Sequence, residues 1–228
     1  TKKCKGAKVM DEKTNLVKRI QEFVKEQTIN EETGHDWWHI NRVYNNALLI
    51  NKGEKADELI ISTIALFHDL YDYKVFNGNQ REKLIETFKE LNIYDKFSKE
   101  ELENILFSCE NMSYSKNFEN KIQLSKEGKI VQDADRLDSI GAIGIARTFA
   151  YGGKVKRPIY NPELKRTEIK TEQEYKEQKG DSIGHFYDKL LKLKDLLNTE
   201  TAKKVALNRH IYMEKFLEEF YKEWNGEL

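Results

Sequence analysis

Apolar residues recur at three- and four-residue intervals along most of this chain, and alternating runs are few. That spacing is the helical period, so the pattern predicts helices at about 11–28, 36–52, 55–70, 80–92, 98–112, 135–151, 182–197 and 199–224. The predicted third helix, with Leu59, Ile60, Ile61, Ile64, Ala65, Leu66 and Phe67, is apolar nearly all round and is expected at the centre of the fold. The second sorts its residues by face. Ile40, Val43, Tyr44, Ala47 and Leu48 form an apolar stripe, while His39, Arg42 and Asn46, at i, i+3 and i+7, share a polar one. The last carries Val205, Ala206, Ile211, Phe216, Leu217 and Phe220 among many charges, with Thr199 and Thr201 offering a cap at its start.

One stretch breaks the pattern. Residues 152–180 hold both prolines, Pro158 and Pro162, many charges and only scattered apolar side chains. An insertion of that kind is a lid, a binding loop or an excursion without function. No internal repeat and no clear domain boundary is visible. The expectation is therefore an all-α fold, a single-domain helical bundle over residues 11–228 with a loop insertion near 152–180. The basic, unpatterned start makes Met10 a candidate natural beginning and residues 1–10 a tag remnant or disordered start.

Composition narrows the function classes. With 228 residues the chain can bury a substantial core. Lys+Arg and Asp+Glu are both 39, a net charge of zero, which argues against a nucleic-acid partner. Cys4 and Cys109 lack metal or redox spacing and read as reduced thiols of a cytoplasmic protein. The longest apolar stretch is far too short to span a bilayer, so no membrane partner is expected. A homo-oligomer is left open.

Against this background four positions stand out: His39 in Gly34-His35-Asp36-Trp37-Trp38-His39, the pair His68-Asp69 at the end of the central apolar run, and Asp135 in Gln132-Asp133-Ala134-Asp135-Arg136. Two imidazoles and two carboxylates from three segments can cradle one divalent ion, which turns bound water into a nucleophile at neutral pH. Each has a bland alternative. His39 alone is more often a satisfied structural histidine. Asp69 can pair with a distant arginine, which would leave His68 unexplained. Asp133 or Asp135 can be the N-cap of the helix predicted to begin there. The carboxyl end of the central helix nevertheless favours a cation, through the helix dipole. The small residues Gly141, Ala142, Gly144 and Ala146 would let the Asp135 helix approach its neighbours closely.

The ordered set H…HD…D, with gaps of 29 and 66 residues, resembles the HD superfamily of metal-dependent phosphohydrolases. More closely the chain resembles the bacterial YedJ/YpgQ-type HD proteins, through GHDWWHINRV, ALFHDLYDYK, VQDADRLDSIGAIGIARTFAYGG and GHFYDKLLKLKDLL. The likeness spans roughly residues 16–224. It implies that His39, His68, Asp69 and Asp135 are metal ligands, and it favours Mn²⁺ or Mg²⁺. The donor mix also suits Ni²⁺, Zn²⁺ or Fe²⁺.

The resemblance further implies a small phosphorylated substrate, a nucleotide foremost, with cleavage of a nucleoside triphosphate to monophosphate and pyrophosphate. Phosphomonoester or cyclic phosphodiester hydrolysis of a small metabolite uses the same metal and water. A non-catalytic, nucleotide-binding regulatory module is the reading from another class. In the related guanosine tetraphosphate hydrolases an acidic pair follows HD. Here Asp72 matches its first member and Tyr73 departs from the second, which leaves Asp72 to orient water. Lys74 is a candidate phosphate ligand or an exposed turn lysine. His35 is a candidate proton donor to the leaving group. Arg42, Lys116, Arg147 and His185 are candidate substrate contacts, with a buried helix-start histidine as the alternative for His185. Arg136 reads as a structural brace, and Tyr71, Tyr73 and Phe76 as packing residues or a stacking platform.

Overall fold

The computed structural model describes residues 2–31, 34–71, 76–114, 122–165, 171, 173, 174 and 180–227. Among them the ordered elements are α-helices and short 3-10 segments, with no strand. The all-α expectation holds. The chain forms two compact units, residues 1–113 with 123–132 and residues 114–122 with 133–228.

The first unit contains α1 (Lys2–Thr28), α2 (Trp37–Glu54), α3 (Glu58–Phe67), α4 (Gln80–Glu90), α5 (Lys99–Asn111) and the first half of α6 (Lys126–Asp138). As its composition predicts, α3 is central: it packs against α1, α2 and α5, and every residue from Ile60 to Phe67 is buried. Its two hydroxyls do not disturb that burial. Ser62 donates to the Glu58 carbonyl at 2.6 Å and Thr63 to the Leu59 carbonyl at 2.8 Å, so neither is left unsatisfied. Ile20, Val24, Ile40, Val43, Ile64 and Phe88 complete the core, each contributing about 1.5–3 kcal/mol by burial. Cys109 belongs to this packing as well. Burial pushes its thiol up, so it remains a protonated, inert filler.

Caps fix the helix ends. Asp57 accepts from Leu59 N at 2.8 Å and Ile60 N at 3.1 Å at the start of α3. Ser98 and Glu101 form a reciprocal capping box on α5. The α2–α3 turn is pinned by buried Asn51, which accepts from Ala56 N at 2.7 Å and donates to Ala56 O at 3.2 Å.

Where the sequence predicts one helix over 135–151, two occur: α6 ends at Asp138 and α7 (Gly141–Lys154) begins three residues later. The break lies at Ile140 in extended backbone and Gly141 at φ 75, a conformation that side chains other than glycine resist. The start of α6 was hidden by Gly128, which looks like a breaker. Its lack of a side chain instead allows close approach to α5, because a Cβ there would sit 2.6 Å from Ser108 Oγ. Asp135 is therefore near the end of a helix, not its N-cap, and neither is Asp133.

The second unit contains the end of α6, α7, α8 (Ser182–Asp188), a 3-10 segment (Leu190–Leu196) and α9 (Glu200–Asn225). Asp133 holds this unit's joint. Its fully buried carboxylate accepts from Asn198 N at 2.9 Å, Asn198 Nδ2 at 2.8 Å, Thr199 N at 2.7 Å and Thr199 Oγ1 at 2.7 Å. Thr199 in turn caps α9, as the sequence indicates. Arg136 donates to the Leu196 carbonyl and Arg209 to the Leu137 carbonyl, which makes Arg136 a brace, through a backbone carbonyl in place of an ion pair.

Gly144 is absorbed by the same turn, for a Cβ there would collide with the Ser139 carbonyl. The stretch expected as a loop from residue 152 is helical through Lys154, and residues 158–160 are tied down. Pro158 O and Ile159 O accept from Ser182 N (2.9 Å) and Ile183 N (3.0 Å). Tyr160 sits edge-on to Phe220, Tyr221 and Trp224 of α9.

Candidate metal centre

Two features of the first unit aim its histidines. Asp36 caps α2 by accepting from His39 N at 2.8 Å, which sets His39 in the first turn with Arg42 and Asn46 behind it on the same face. At the far end of α3, His68 is the C-cap residue, with αR backbone, and Asp69 follows in the turn. His39 and His68 are buried, and Asp69 and His35 nearly so.

The ring of His68 has a determined orientation. Its Nδ1 lies 2.8 Å from the Ala65 carbonyl, an acceptor, so Nδ1 carries a proton and, in the neutral ring, Nε2 carries a lone pair. That Nε2 is buried with no hydrogen-bond partner among the described residues, and it faces Asp69 Oδ2 at 3.4 Å. A bare nitrogen lone pair opposite a carboxylate oxygen is unfavourable unless a cation lies between them. Fixing the tautomer by a backbone carbonyl is also the usual outer support of a metal-binding imidazole.

Asp69 Oδ2 is the meeting point. His35 Nδ1 lies 2.5 Å from it and His39 Nε2 3.1 Å. The ligand atoms of His35, His39 and Asp69 all fall within 4.8 Å of one another. The rings of His39 and His68 stand edge to face, 5.5 Å apart. Burial pushes the Asp69 carboxyl up, but the positive charge of His68 and His35 when protonated, with hydrogen bonds from His35 and His39, outweighs it and holds the carboxyl well below its ordinary range. The group is a carboxylate at neutral pH. This donor set fits a divalent ion.

The other sequence candidates are placed as follows. Asp135 belongs to the second unit, three residues before the end of α6. Arg42 is partly buried on α2, one turn beyond His39. Arg147 Nη1 lies 3.5 Å from the buried carboxylate of Asp138. His185, in α8, is held neutral at neutral pH: burial, then the nearby cations Lys189 and Arg157, lower it to about 3. Tyr71 donates to or accepts from Thr87 Oγ1 at 3.0 Å and packs on Phe76, which favours packing over base stacking for that pair. Asp72, Tyr73, Lys74 and Lys116 lie outside the described residues.

The Ala65 carbonyl is the member of this site that side-chain reasoning misses. Its only trace in the sequence is its position, three residues before a histidine at a helix end.

The HD domain model matches residues 37–140, which spans His39, His68, Asp69 and Asp135. Over 209 residues the chain is 36% identical to the YpgQ protein of Bacillus subtilis, covering 91% of this chain and 93% of that one. The chain belongs to the HD family. It superposes on a solved structure from Lactobacillus plantarum with a TM-score of 0.82 at 36% identity, covering 93% and 98% of the two chains. A Bacillus thuringiensis structure described as an HD-superfamily hydrolase matches at TM-score 0.71 and 40% identity, covering 94% and 100%. YpgQ itself, solved in complex with ADP, matches at TM-score 0.71 and 33% identity, covering 92% and 96%. As a member of this HD family the chain is a metal-dependent phosphohydrolase. No described helix is long and apolar enough to cross a membrane.

Proposed function

We propose that this chain is a cytoplasmic enzyme that hydrolyses nucleotides, taking a nucleoside triphosphate to the monophosphate and pyrophosphate. The observation that carries the metal half of the reading is the bare, buried Nε2 of His68 facing Asp69 Oδ2. The nucleotide half is supported by the ADP complex of YpgQ. His39, His68, Asp69 and Asp135 are the proposed ligands of one divalent ion, with Mn²⁺ or Mg²⁺ favoured and Ni²⁺, Zn²⁺ or Fe²⁺ compatible with the donors. When bound, such an ion supplies a nucleophilic water and polarises a phosphoryl oxygen.

The chain's own residues supply position and charge, the two things phosphoryl transfer most needs. Asp69 stays ionised and keeps the site anionic. Asp72 is proposed to orient the attacking water and Lys74 to hold a phosphate. His35, with Nδ1 engaged by Asp69, has only Nε2 left to give a proton to the leaving group. Arg42, Lys116, Arg147 and His185 are proposed substrate contacts. Arg147 would be shared with Asp138, and His185 would act as a neutral hydrogen-bonding group.

The test is a nucleotide panel with product identification by ³¹P NMR. Metal-stripped protein is given Mn²⁺ or Mg²⁺ and triphosphates, monophosphates and cyclic nucleotides. The proposal expects pyrophosphate and monophosphate from triphosphates, with no turnover when metal is withheld. Orthophosphate from monophosphates, or opening of cyclic nucleotides, would replace it with the alternative hydrolase readings. Tight nucleotide binding with no metal-dependent turnover would make the chain a regulatory binding module.

A further inference from the structure

We infer that His35 is a positioning residue for Asp69: its Nδ1–H holds Oδ2 of that carboxylate and fixes which oxygen is offered to the ion. The inference rests on the metal reading above and concerns the division of labour among three histidines. Two ligands of one ion, each about 2.1 Å from it, lie about 3.0 Å apart at octahedral angles and about 3.4 Å apart at tetrahedral ones. His39 Nε2 and His68 Nε2 stand 3.1 and 3.4 Å from Asp69 Oδ2, the edges expected of co-ligands. His35 Nδ1 stands 2.5 Å from the same oxygen, too close for a co-ligand and short even for a charge-assisted hydrogen bond, the one contact that brings two such atoms inside van der Waals distance.

A carboxylate oxygen has two lone pairs, so Oδ2 can accept from His35 with one and face the ion with the other. The backbone delivers His35 to this place. Gly34 takes φ 92, a left-handed conformation that turns the chain immediately before the Asp36 cap. His35 is thereby set just before the Asp36 cap of α2, facing Asp69, while His39 enters from the helix itself. Neither job is interchangeable: a hydrogen-bond donor at 2.5 Å orients the oxygen, whereas the Nε2 atoms of His39 and His68 complete the donor set.

Mn²⁺ titration by calorimetry of the whole protein and of His35→Ala, His35→Asn and His35→Gln tests this, together with pulsed EPR that counts imidazole nitrogens on the bound Mn²⁺. Loss of an outer-sphere partner is expected to weaken Mn²⁺ binding roughly 10–100-fold in His35→Ala. Asn, whose amide falls near the Nδ1 position, should recover most of that, and Gln, which reaches the Nε2 position, should not. Two imidazoles should be counted in the wild type and in every variant.

Equal affinity in all variants would overturn the inference, as would three imidazoles in the wild type falling to two in His35→Ala. Should His35→Ala fail to fold, the Asn-over-Gln order decides, and its absence would count against the role. Failure of the wild type itself to bind Mn²⁺, Mg²⁺ or Zn²⁺ would sink the metal reading and this inference together. Unchanged affinity in the variants would sink the inference alone.

Discussion

Asp69→Ala is expected to abolish metal binding and metal-dependent turnover while leaving helical content intact. Asp69 contributes the oxygen on which three imidazole nitrogens converge at 2.5, 3.1 and 3.4 Å. Removing it takes away one of the two carboxylates proposed to hold a divalent ion. The loss should exceed the roughly 10–100-fold that an outer-sphere partner costs. The helices should survive because Asp69 lies in the turn after α3, outside the packed run Ile60 to Phe67. Circular dichroism and calorimetric metal titration on one preparation check both halves. Full metal-dependent turnover in the variant would make the ligand assignment wrong.

The largest stability effect is expected at a residue with no chemistry to perform. Asp133→Ala should destabilise the protein by about 3–5 kcal/mol, because it strands two backbone and two side-chain donors of Asn198 and Thr199 at a buried joint. Thr199 also caps α9, so the damage extends to the start of that helix. For a chain of this length the loss corresponds to a fall of roughly 10 °C in Tm. Asp133→Asn retains acceptor capacity at one oxygen and should lose about half as much. Differential scanning calorimetry of the two variants measures this. A Tm within about 2 °C of wild type for Asp133→Ala would show that the joint is held by apolar packing instead.

These two aspartates also show what the sequence could and could not reveal. The helical period located α2 to α5 and α9 to within a few residues, and the apolar run picked out α3, because burial on one face or all round leaves a direct mark on composition. The donors His39, His68 and Asp69 were legible because a helix end with an imidazole and a carboxylate is costly without a partner. For Asp133 the sequence offered only the alternative of a cap for its own helix. Its true partners lie 65 and 66 residues away, and a side chain that caps a distant helix leaves no local spacing.

The start of α6 was missed for a related reason. Gly128 is dictated by Ser108 on another helix, and within its own segment it resembles a breaker. His35 was visible as a candidate, yet its contact with Asp69 depends on the turn at Gly34, which spacing alone does not encode. A backbone carbonyl such as that of Ala65 carries no residue identity at all, so the group that orients His68 emerges only from the fold.

Anomalous diffraction from crystals soaked in Mn²⁺ puts the account to its most direct test. One Mn²⁺ peak is predicted, at about 2.0–2.3 Å from His39 Nε2, His68 Nε2 and carboxylate oxygens of Asp69 and Asp135. His35 Nδ1 should remain on Asp69 and off the ion. A peak that avoids His68 Nε2, or crystals in which no Mn²⁺ binds beside Asp69, would contradict it.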